Sequence, residues 1–178
     1  GINMNKGAAI AKPQVEKNET LSEALLSLSN VLMEKIGGSM GPLYGSIFMG
    51  MQAVLGNAEI IDGALIEKML KQAYDNIQMI SLAKTGDKTL VDVLDPSVSA
   101  YTAVYEKTLD TCAALTACSQ AAEEGMKATC NMQAKLGRAA RLKEKSIGHQ
   151  DAGATSCCLI LQTFCSTIIA FEKANERN

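Results

Sequence analysis

The stretch that decides the fold is residues 20–36, which read TLSEALLSLSNVLMEKI. Leucine and isoleucine recur in it at steps of three or four residues, the spacing of one helical face. These apolar residues are Leu21, Leu25, Leu28, Leu32 and Ile36. Ahead of this face, Thr20 or Ser22 can serve as the N-cap, and Glu23 completes a capping box. The stretch therefore predicts an amphipathic helix that ends at the glycine pair that follows it.

Helical patterns continue along the rest of the chain. We expect a helix from about Pro42 to Leu55, one capped by Asp62, one from about Thr89 with a kink at Pro96, one from Asp110 or Thr111 to about Lys135, and one from about Ala154 to Ala174. Lys12 and Pro13 are expected to break the helix of the first segment. No alternating apolar–polar pattern of useful length and no internal repeat is found. The prediction is an all-α domain of six or more helices that spans residues 1–178.

The second of these helices carries three glycines, Gly41, Gly45 and Gly50. Glycine inside a helix is unfavourable unless something must approach it closely. The glycines therefore indicate close contact with a neighbouring backbone or with a ligand, and the sequence leaves both open.

Composition agrees with a helical globular protein. Of the 178 residues, 47% are hydrophobic, 20% charged and 4% aromatic, and tryptophan is absent. An aliphatic core suits helices better than strands, and the charge fraction excludes wholesale disorder. With 17 basic and 19 acidic residues the net charge is −2, which argues against a broad nucleic-acid surface or a polybasic membrane surface.

The cysteine and histidine content limits the possible chemistry. Six cysteines occur without a CxxC pair, which indicates buried free thiols rather than a disulfide framework. A single histidine, His149, excludes a two-histidine zinc motif within one chain. No signal-peptide pattern is present, and the longest apolar run, residues 157–171, is about five residues short of a membrane span. We therefore expect a cytoplasmic protein that does not enter a membrane.

Three glycine-bearing junctions stand just before predicted helices, at residues 37–45, 86–89 and 148–156. A helix start exposes unpaired N–H groups and the positive end of the helix dipole, and glycine lets a phosphate approach this backbone. The junctions are compatible with an anion or nucleotide site at one end of a bundle, and also with ordinary glycine-capped connections. None matches the P-loop or the GxGxxG fingerprint.

At these junctions the sequence resembles a known family, the ADP-binding L subunit of bacterial dihydroxyacetone kinase. Residues 37–45, GGSMGPLYG, resemble the family motif GG[AS]SGPLYG, and residues 86–96, GDKTLVDVLDP, resemble G[DE]KTMxDxLxP. Residues 137–140, GRAA, followed by residues 145–156, KSIGHQDAGATS, resemble GRAS…RSxGHxDPGATS. Residues 1–7, GINMNKG, resemble the GxNMxRG segment that follows the family's DGDH motif. The four motifs stand in family order over nearly the whole chain.

The resemblance implies a barrel or bundle of antiparallel amphipathic helices with a nucleotide site at one end. It implies bound ADP or ATP as cofactor, phosphorylated by a phosphohistidine donor subunit of the phosphotransferase system. The phosphoryl group then passes to dihydroxyacetone, or another short keto-sugar, on a separate substrate-binding kinase subunit. A transcription regulator is a further partner that the resemblance implies. Two alternative functions remain: a non-catalytic paralogue with a regulatory or partner-binding role, and the nucleotide domain of a fatty-acid-kinase-like enzyme.

The resemblance also implies which residues bind the nucleotide. Carried over onto this sequence, they are Asn3, Gly38, Ser39, Leu43, Thr89, Leu90, Arg138, Asp151 and Gly153. None of these is expected to be catalytic, and His149 is not expected to carry the phosphoryl group. Each also has an ordinary structural interpretation, Leu90 as a core residue and Asp151 as an N-cap.

The metal site of the family has no counterpart in these residues. The family holds Mg²⁺ with three aspartates in a D-x4-D-x-D arrangement, which would precede Gly1. A sequence that lacks the first helix and the metal motif, or a degenerate paralogue, would each explain this.

Overall fold

In the computed structural model, the backbone of residues 2–175 and the side chains of residues 5–175 are described. All regular secondary structure in this part of the chain is helical, which confirms the predicted all-α class. The α-helices are α1 (Ile2–Val15), α2 (Leu21–Lys35), α3 (Met40–Leu55), α4 (Gly63–Ile80), α5 (Val91–Thr108), α6 (Thr111–Ala128) and α7 (Ala152–Asn175). Two 3-10 segments, Thr129–Asn131 and Arg138–Ser146, lie between α6 and α7, and the second is kinked at Lys143, whose φ is +51°.

The helices form two compact units, Gly1–Leu82 and Ala83–Asn178. In the first unit, α1 packs against α2, α2 against α3, and α3 against α4. In the second unit, α6 packs against both α5 and α7, and α5 also contacts α7. The single domain over residues 1–178 and the closure of the helices into a barrel stay predictions.

Polar side chains cap the starts of α2, α4 and α6. The Thr20 hydroxyl accepts a hydrogen bond from the Glu23 N–H at 3.2 Å, and the Glu23 carboxylate accepts one from the Thr20 N–H at 3.2 Å. Asp62 accepts from the Leu65 N–H at 2.8 Å, and Asp110 caps α6 in the same way. The predicted capping box and the Asp62 cap are therefore confirmed.

The three glycines of α3 lie against backbone atoms of neighbouring segments. A β-carbon at Gly41 would overlap carbonyl oxygens at the end of α2, and one at Gly45 would lie 3.2 Å from the Ser29 carbonyl oxygen. A β-carbon at Gly50 would lie 2.9 Å from the Gln72 carbonyl oxygen. The Ser29 hydroxyl also donates to the Gly45 carbonyl at 2.8 Å. Close backbone approach, one of the two interpretations open from the sequence, is thus present at each glycine.

The second unit is built on a similar close contact between α5 and α6. A β-carbon at Gly125 would overlap the Asp92 carbonyl oxygen and lie 3.2 Å from the Val93 Cα atom. Aliphatic, aromatic and thiol side chains fill the interior around this crossing. The fully covered ones include Tyr101, Leu115, Ala122, Cys118 and Cys165.

All six cysteines are free thiols, as expected. Four are buried, Cys118, Cys157, Cys158 and Cys165. Burial raises the pKa of Cys157 to about 12, which keeps this thiol protonated at neutral pH. These side chains therefore act as small hydrophobic groups between α6 and α7.

Two predicted helix ends are wrong. α1 does not break at Pro13 but continues to Val15, and the Glu16 N–H still donates to the Lys12 carbonyl at 2.9 Å. Proline there removes a single backbone donor in the last turn. α6 ends at Ala128 rather than near Lys135, where the chain tightens into the 3-10 turn Thr129–Asn131. Buried Thr129 holds this turn, since its hydroxyl donates to the Met126 carbonyl at 2.6 Å.

α7 is slightly longer than the predicted helix and runs from Ala152 to Asn175. Its 24 residues are long and apolar enough to cross a membrane, judged by length and composition alone. The mean hydropathy is 1.7 over an 18-residue stretch, of which 28% is buried. The core helix of a soluble protein passes the same test, so one such helix is weak support for a membrane span.

Candidate functional site

A cavity of about 430 Å³ lies in the first unit, beside the start of α3 and the end of α4. Its lining combines apolar side chains with hydroxyl groups: Met33, Ser39, Pro42, Leu43, Ser46, Ile80 and Ser81. Ligand pockets typically enclose about 300–1,000 Å³ and combine an apolar wall with a few polar groups. The cavity has the size and lining expected for part of a small organic ligand.

The first turn of α3 brings a helix N-terminus to this cavity. Ser39 occupies the N-cap position, is exposed, and makes no side-chain capping hydrogen bond. The preceding Gly38 has φ of +78°, a left-handed conformation that glycine adopts without strain. The N–H groups of this turn and the Ser39 hydroxyl are suited to hold an anion.

Two further predicted residues belong to the first unit. Leu43 is half-buried and lines the cavity, next to Pro42. Asn3 falls in α1, but its side chain lies outside the described residues. The structure thus brings Ser39 and Leu43 together at one cavity, with Gly38 adjoining them in the chain.

In the second unit, the turn before α5 is organised by a buried carboxylate. Asp92 is 2% exposed, and its two oxygens accept from the Gly86 N–H at 2.5 Å and from the Thr89 N–H at 2.6 Å. The Thr89 hydroxyl accepts from the Val91 N–H at 3.1 Å. The backbone of the GDKT turn is therefore fixed by Asp92, while Thr89 itself stays half-buried.

The start of α7 packs against this turn. A β-carbon at Gly153 would lie 3.5 Å from the Leu90 nitrogen and 3.7 Å from the Leu90 β-carbon. Leu90 is 4% exposed, which gives it a core position as well as a place beside Gly153. The structure therefore brings Thr89, Leu90 and Gly153 together.

Asp151 forms the N-cap of α7. Its carboxylate accepts from the Ala154 N–H at 2.8 Å, and its own N–H donates to the Thr129 hydroxyl at 3.0 Å. Burial raises the pKa of the Asp151 carboxyl above its ordinary value, and hydrogen bonds from the Ala154 and Gly153 amides oppose this effect only in part. Asp151 therefore combines a structural role with a polar, partly covered position.

Arg138 begins the second 3-10 helix and is exposed. It follows Gly137, whose φ is +69°. Residues 132–146, here called the basic segment, carry five lysines and arginines and a single acidic residue, Glu144. The basic residues are Lys135, Arg138, Arg141, Lys143 and Lys145, and all five are exposed. This concentration of positive charge in a chain of net charge −2 suits contact with an anion.

Two buried charged residues had no role predicted from the sequence: Lys88 in the GDKT turn and Asp92 in the first turn of α5. They are 3% and 2% exposed. The sequence did contain a hint of their burial, because Lys88 and Asp92 flank the apolar residues at the start of α5 within the motif GDKTLVDVLDP. Their burial indicates that both side chains bind groups inside the protein and so fix the conformation of this motif.

Within residues 5–175, no three His, Cys, Asp or Glu side chains come close enough together to hold a metal ion. The described carboxylates thus form no metal site of three or more protein ligands. No chemical step is assigned to a metal here.

Glycine-flanked helix N-termini, a cavity with hydroxyl groups and a basic segment define an all-α protein suited to bind a phosphorylated ligand. Comparison with protein families identifies it more closely. The DAK2 domain model matches residues 1–166, and the chain belongs to this family.

Several curated proteins are similar over most of the chain. The ADP-binding subunit DhaL of the PEP-dependent dihydroxyacetone kinase of Escherichia coli K12 is 33% identical over 164 residues, which cover 91% of this chain and 78% of that protein. The corresponding subunit of PEP-dependent dihydroxyacetone kinase 1 of Listeria innocua is 29% identical over 172 residues, or 96% of this chain and 81% of that protein. L-erythrulose kinase of Pectobacterium atrosepticum is 32% identical over 90% of this chain but only 28% of its own length.

Proposed function

We propose that this chain is the nucleotide-binding subunit of a phosphotransferase-dependent dihydroxyacetone kinase. It relays a phosphoryl group through bound ADP and ATP to dihydroxyacetone on a partner subunit. The observation that carries the proposal is the similarity to proteins named as ADP-binding subunits, which covers 91% and 96% of the chain. The motif residues that would touch a nucleotide also stand at helix N-termini, where backbone N–H groups hold phosphate.

In the first unit, the cavity beside α3 supports nucleotide binding. We assign phosphate contacts to the Ser39 hydroxyl and the backbone around Gly38, because this helix start has no side-chain cap of its own. Leu43 supplies an apolar wall of the same cavity. Asn3 is assigned to the phosphates on the resemblance alone.

In the second unit, the assigned residues differ in how exposed they are and in what they contact. Thr89 is half-buried in the turn fixed by Asp92, and Arg138 is an exposed cation. Leu90 lies beside Gly153. On the resemblance, Leu90 contacts the base region together with Thr89, and Gly153 helps Arg138 and Asp151 to close the site. The Asp151 carboxylate is engaged with the first turn of α7 and orients this helix start.

A bound nucleotide would accept a phosphoryl group from the donor and pass it on. The chain's own residues then position and neutralise the charged phosphates, which is the main contribution proteins make to phosphoryl transfer. Mg²⁺ together with the nucleotide belongs to the proposal on the resemblance alone, since no described carboxylate cluster fits it.

The proposed partners are a dihydroxyacetone-binding kinase subunit and a phosphohistidine donor subunit of the phosphotransferase system. A transcription regulator is a third proposed partner. We place the protein in the cytoplasm, where these partners would act, and propose no membrane or nucleic-acid binding.

The first experiment measures binding of ADP, with and without Mg²⁺, to the full chain by isothermal titration calorimetry. We expect binding that R138M weakens by about tenfold or more, the size of a lost hydrogen bond to a charged group. The matched control is Lys107→Met, an exposed cation in the last turn of α5, which should leave the affinity unchanged. No binding at millimolar ADP would refute the proposal.

The second experiment reconstitutes phosphoryl transfer. The chain is mixed with a substrate subunit, a phosphohistidine donor and ADP, and product is measured with dihydroxyacetone and with erythrulose as acceptors. Transfer to either acceptor supports the kinase function and identifies the keto-sugar. ADP binding without transfer to either would favour the non-catalytic regulatory alternative.

A further inference from the structure

Lys88 is a buried lysine in an unusual backbone conformation. Its side chain and backbone together are 3% exposed, and its φ is +62°. Residues with a β-carbon seldom adopt positive φ, and they keep it only where the surroundings hold it. The position is thus determined by what Lys88 contacts.

The Lys88 ammonium is held by two backbone carbonyls. Its Nζ donates to the Met132 carbonyl at 3.1 Å and to the Ser146 carbonyl at 2.5 Å. A buried ammonium is costly unless it is hydrogen-bonded, so both contacts strongly favour the present conformation of the chain.

These two carbonyls stand at the two ends of the basic segment, residues 132–146. One lysine therefore fixes both ends of a 15-residue stretch that is otherwise largely exposed. The ends are also joined directly, because the Ser146 hydroxyl accepts from the Ala134 N–H at 2.9 Å and donates to the Lys143 carbonyl at 2.6 Å.

A second, weaker attachment comes from the neighbouring residue. The Asp87 carbonyl accepts from the Lys135 N–H at 3.2 Å, and its carboxylate pairs with the Lys135 ammonium at 2.9 Å. This pair is exposed on the lysine side, so it adds little by itself. The buried Lys88 contacts are the stronger connection between the GDKT turn and the basic segment.

We propose that Lys88 is a positioning residue that sets the conformation of the basic segment, and through it the place of Arg138, for nucleotide binding. This inference rests on the proposed function. Lys88 acts through the segment and does not itself contact the phosphates.

The test compares three full-length variants with the wild type. Lys88→Met removes the ammonium, Lys88→Arg keeps a buried charge, and Lys84→Met removes an exposed lysine from the same turn as a control. Two quantities are measured: the dissociation constant for ADP by calorimetry, and hydrogen exchange of peptides covering residues 132–148 by mass spectrometry.

For Lys88→Met we expect about tenfold weaker ADP binding and at least about tenfold faster exchange in the basic segment, while peptides from α6 and α7 stay protected. Lys88→Arg should restore affinity to within about threefold of the wild type, since guanidinium also donates to carbonyls. Lys84→Met should match the wild type in both measurements.

Equal acceleration of exchange throughout residues 83–175, or unchanged exchange in the basic segment, would overturn the proposal. So would a Lys88→Arg variant that binds ADP no better than Lys88→Met. If Lys88→Met fails to fold, Lys88→Gln replaces it, because its shorter, neutral side chain removes the ammonium from the two carbonyls but still offers polar N–H groups in the buried position. It should show the same local acceleration of exchange and the same weaker binding.

The two proposals fail in different ways. Absence of ADP binding by the wild type would refute the proposed function. The exchange comparison would then decide by itself whether Lys88 holds the basic segment.

Discussion

Replacing Asp92 by alanine should destabilise the second unit strongly. The substitution removes both acceptors of a 2%-exposed carboxylate and leaves the Gly86 and Thr89 N–H groups without their partner. A hydrogen bond to a charged group contributes about 1.5–3 kcal/mol, so we expect the loss of two such bonds to cost about 4 kcal/mol. Asp92→Asn keeps one acceptor oxygen and should lose about half as much.

The assay is urea unfolding at pH 7, followed by circular dichroism, together with hydrogen exchange of the turn. Asp95→Asn is the matched control: Asp95 accepts from the Thr85 hydroxyl at 2.7 Å in an exposed setting, so its loss should stay below about 1 kcal/mol. A free energy of unfolding for Asp92→Ala within about 1 kcal/mol of the wild type would refute the reasoning. Unchanged exchange at the Gly86 and Thr89 amides would refute it as well.

Three further predictions concern the packing, titration and thiols of the second unit. Gly125→Ala should lower the free energy of unfolding by about 2 kcal/mol, because overlap with the α5 backbone outweighs the roughly 1 kcal/mol gain in helix propensity; a thermal melt showing higher stability would contradict this. The raised pKa of Asp151 means that the folded state binds its proton more tightly, so this group's contribution to stability is present at acid pH and is lost as pH rises through the folded pKa. Asp151→Asn keeps a capping oxygen but does not titrate, so its free energy of unfolding should rise relative to that of the wild type as the pH increases from 4 to 7 in urea titrations. A difference between the two proteins that does not change with pH would contradict this prediction. In the native protein an aromatic disulfide reagent should react fastest with half-buried Cys112 and Cys130, and the four buried thiols should react only after unfolding; equal rates for all six would contradict their burial.

The sequence predicted the helices well where a local signal exists. The apolar stripe after Thr20 and the caps at Thr20 and Asp62 depend only on nearby residues, and the structure contains them. The end of α6 could not be predicted in this way. It depends on Thr129, whose hydroxyl accepts from Asp151, a residue 22 positions further along the chain.

The candidate site was predicted unevenly, for a similar reason. Motif resemblance identified Ser39 and Leu43, which line a cavity in the structure. The roles of Lys88 and Asp92 depend on which backbone groups they meet, and those groups come partly from distant segments such as residues 132–146. A motif can identify such residues, but the backbone groups that they bind are known only from the folded structure.

The glycines of α3 affect how mutational data on this protein should be interpreted. Gly41 and Gly45 belong to the motif that suggests phosphate binding, yet each lies against main-chain atoms of another segment. A saturation screen for activity will therefore lose function at both positions through a lower yield of folded protein. At exposed Ser39, two residues before Gly41, the same screen should lose activity at normal protein levels. Measuring protein abundance together with activity would distinguish residues needed for helix packing from residues needed for ligand binding.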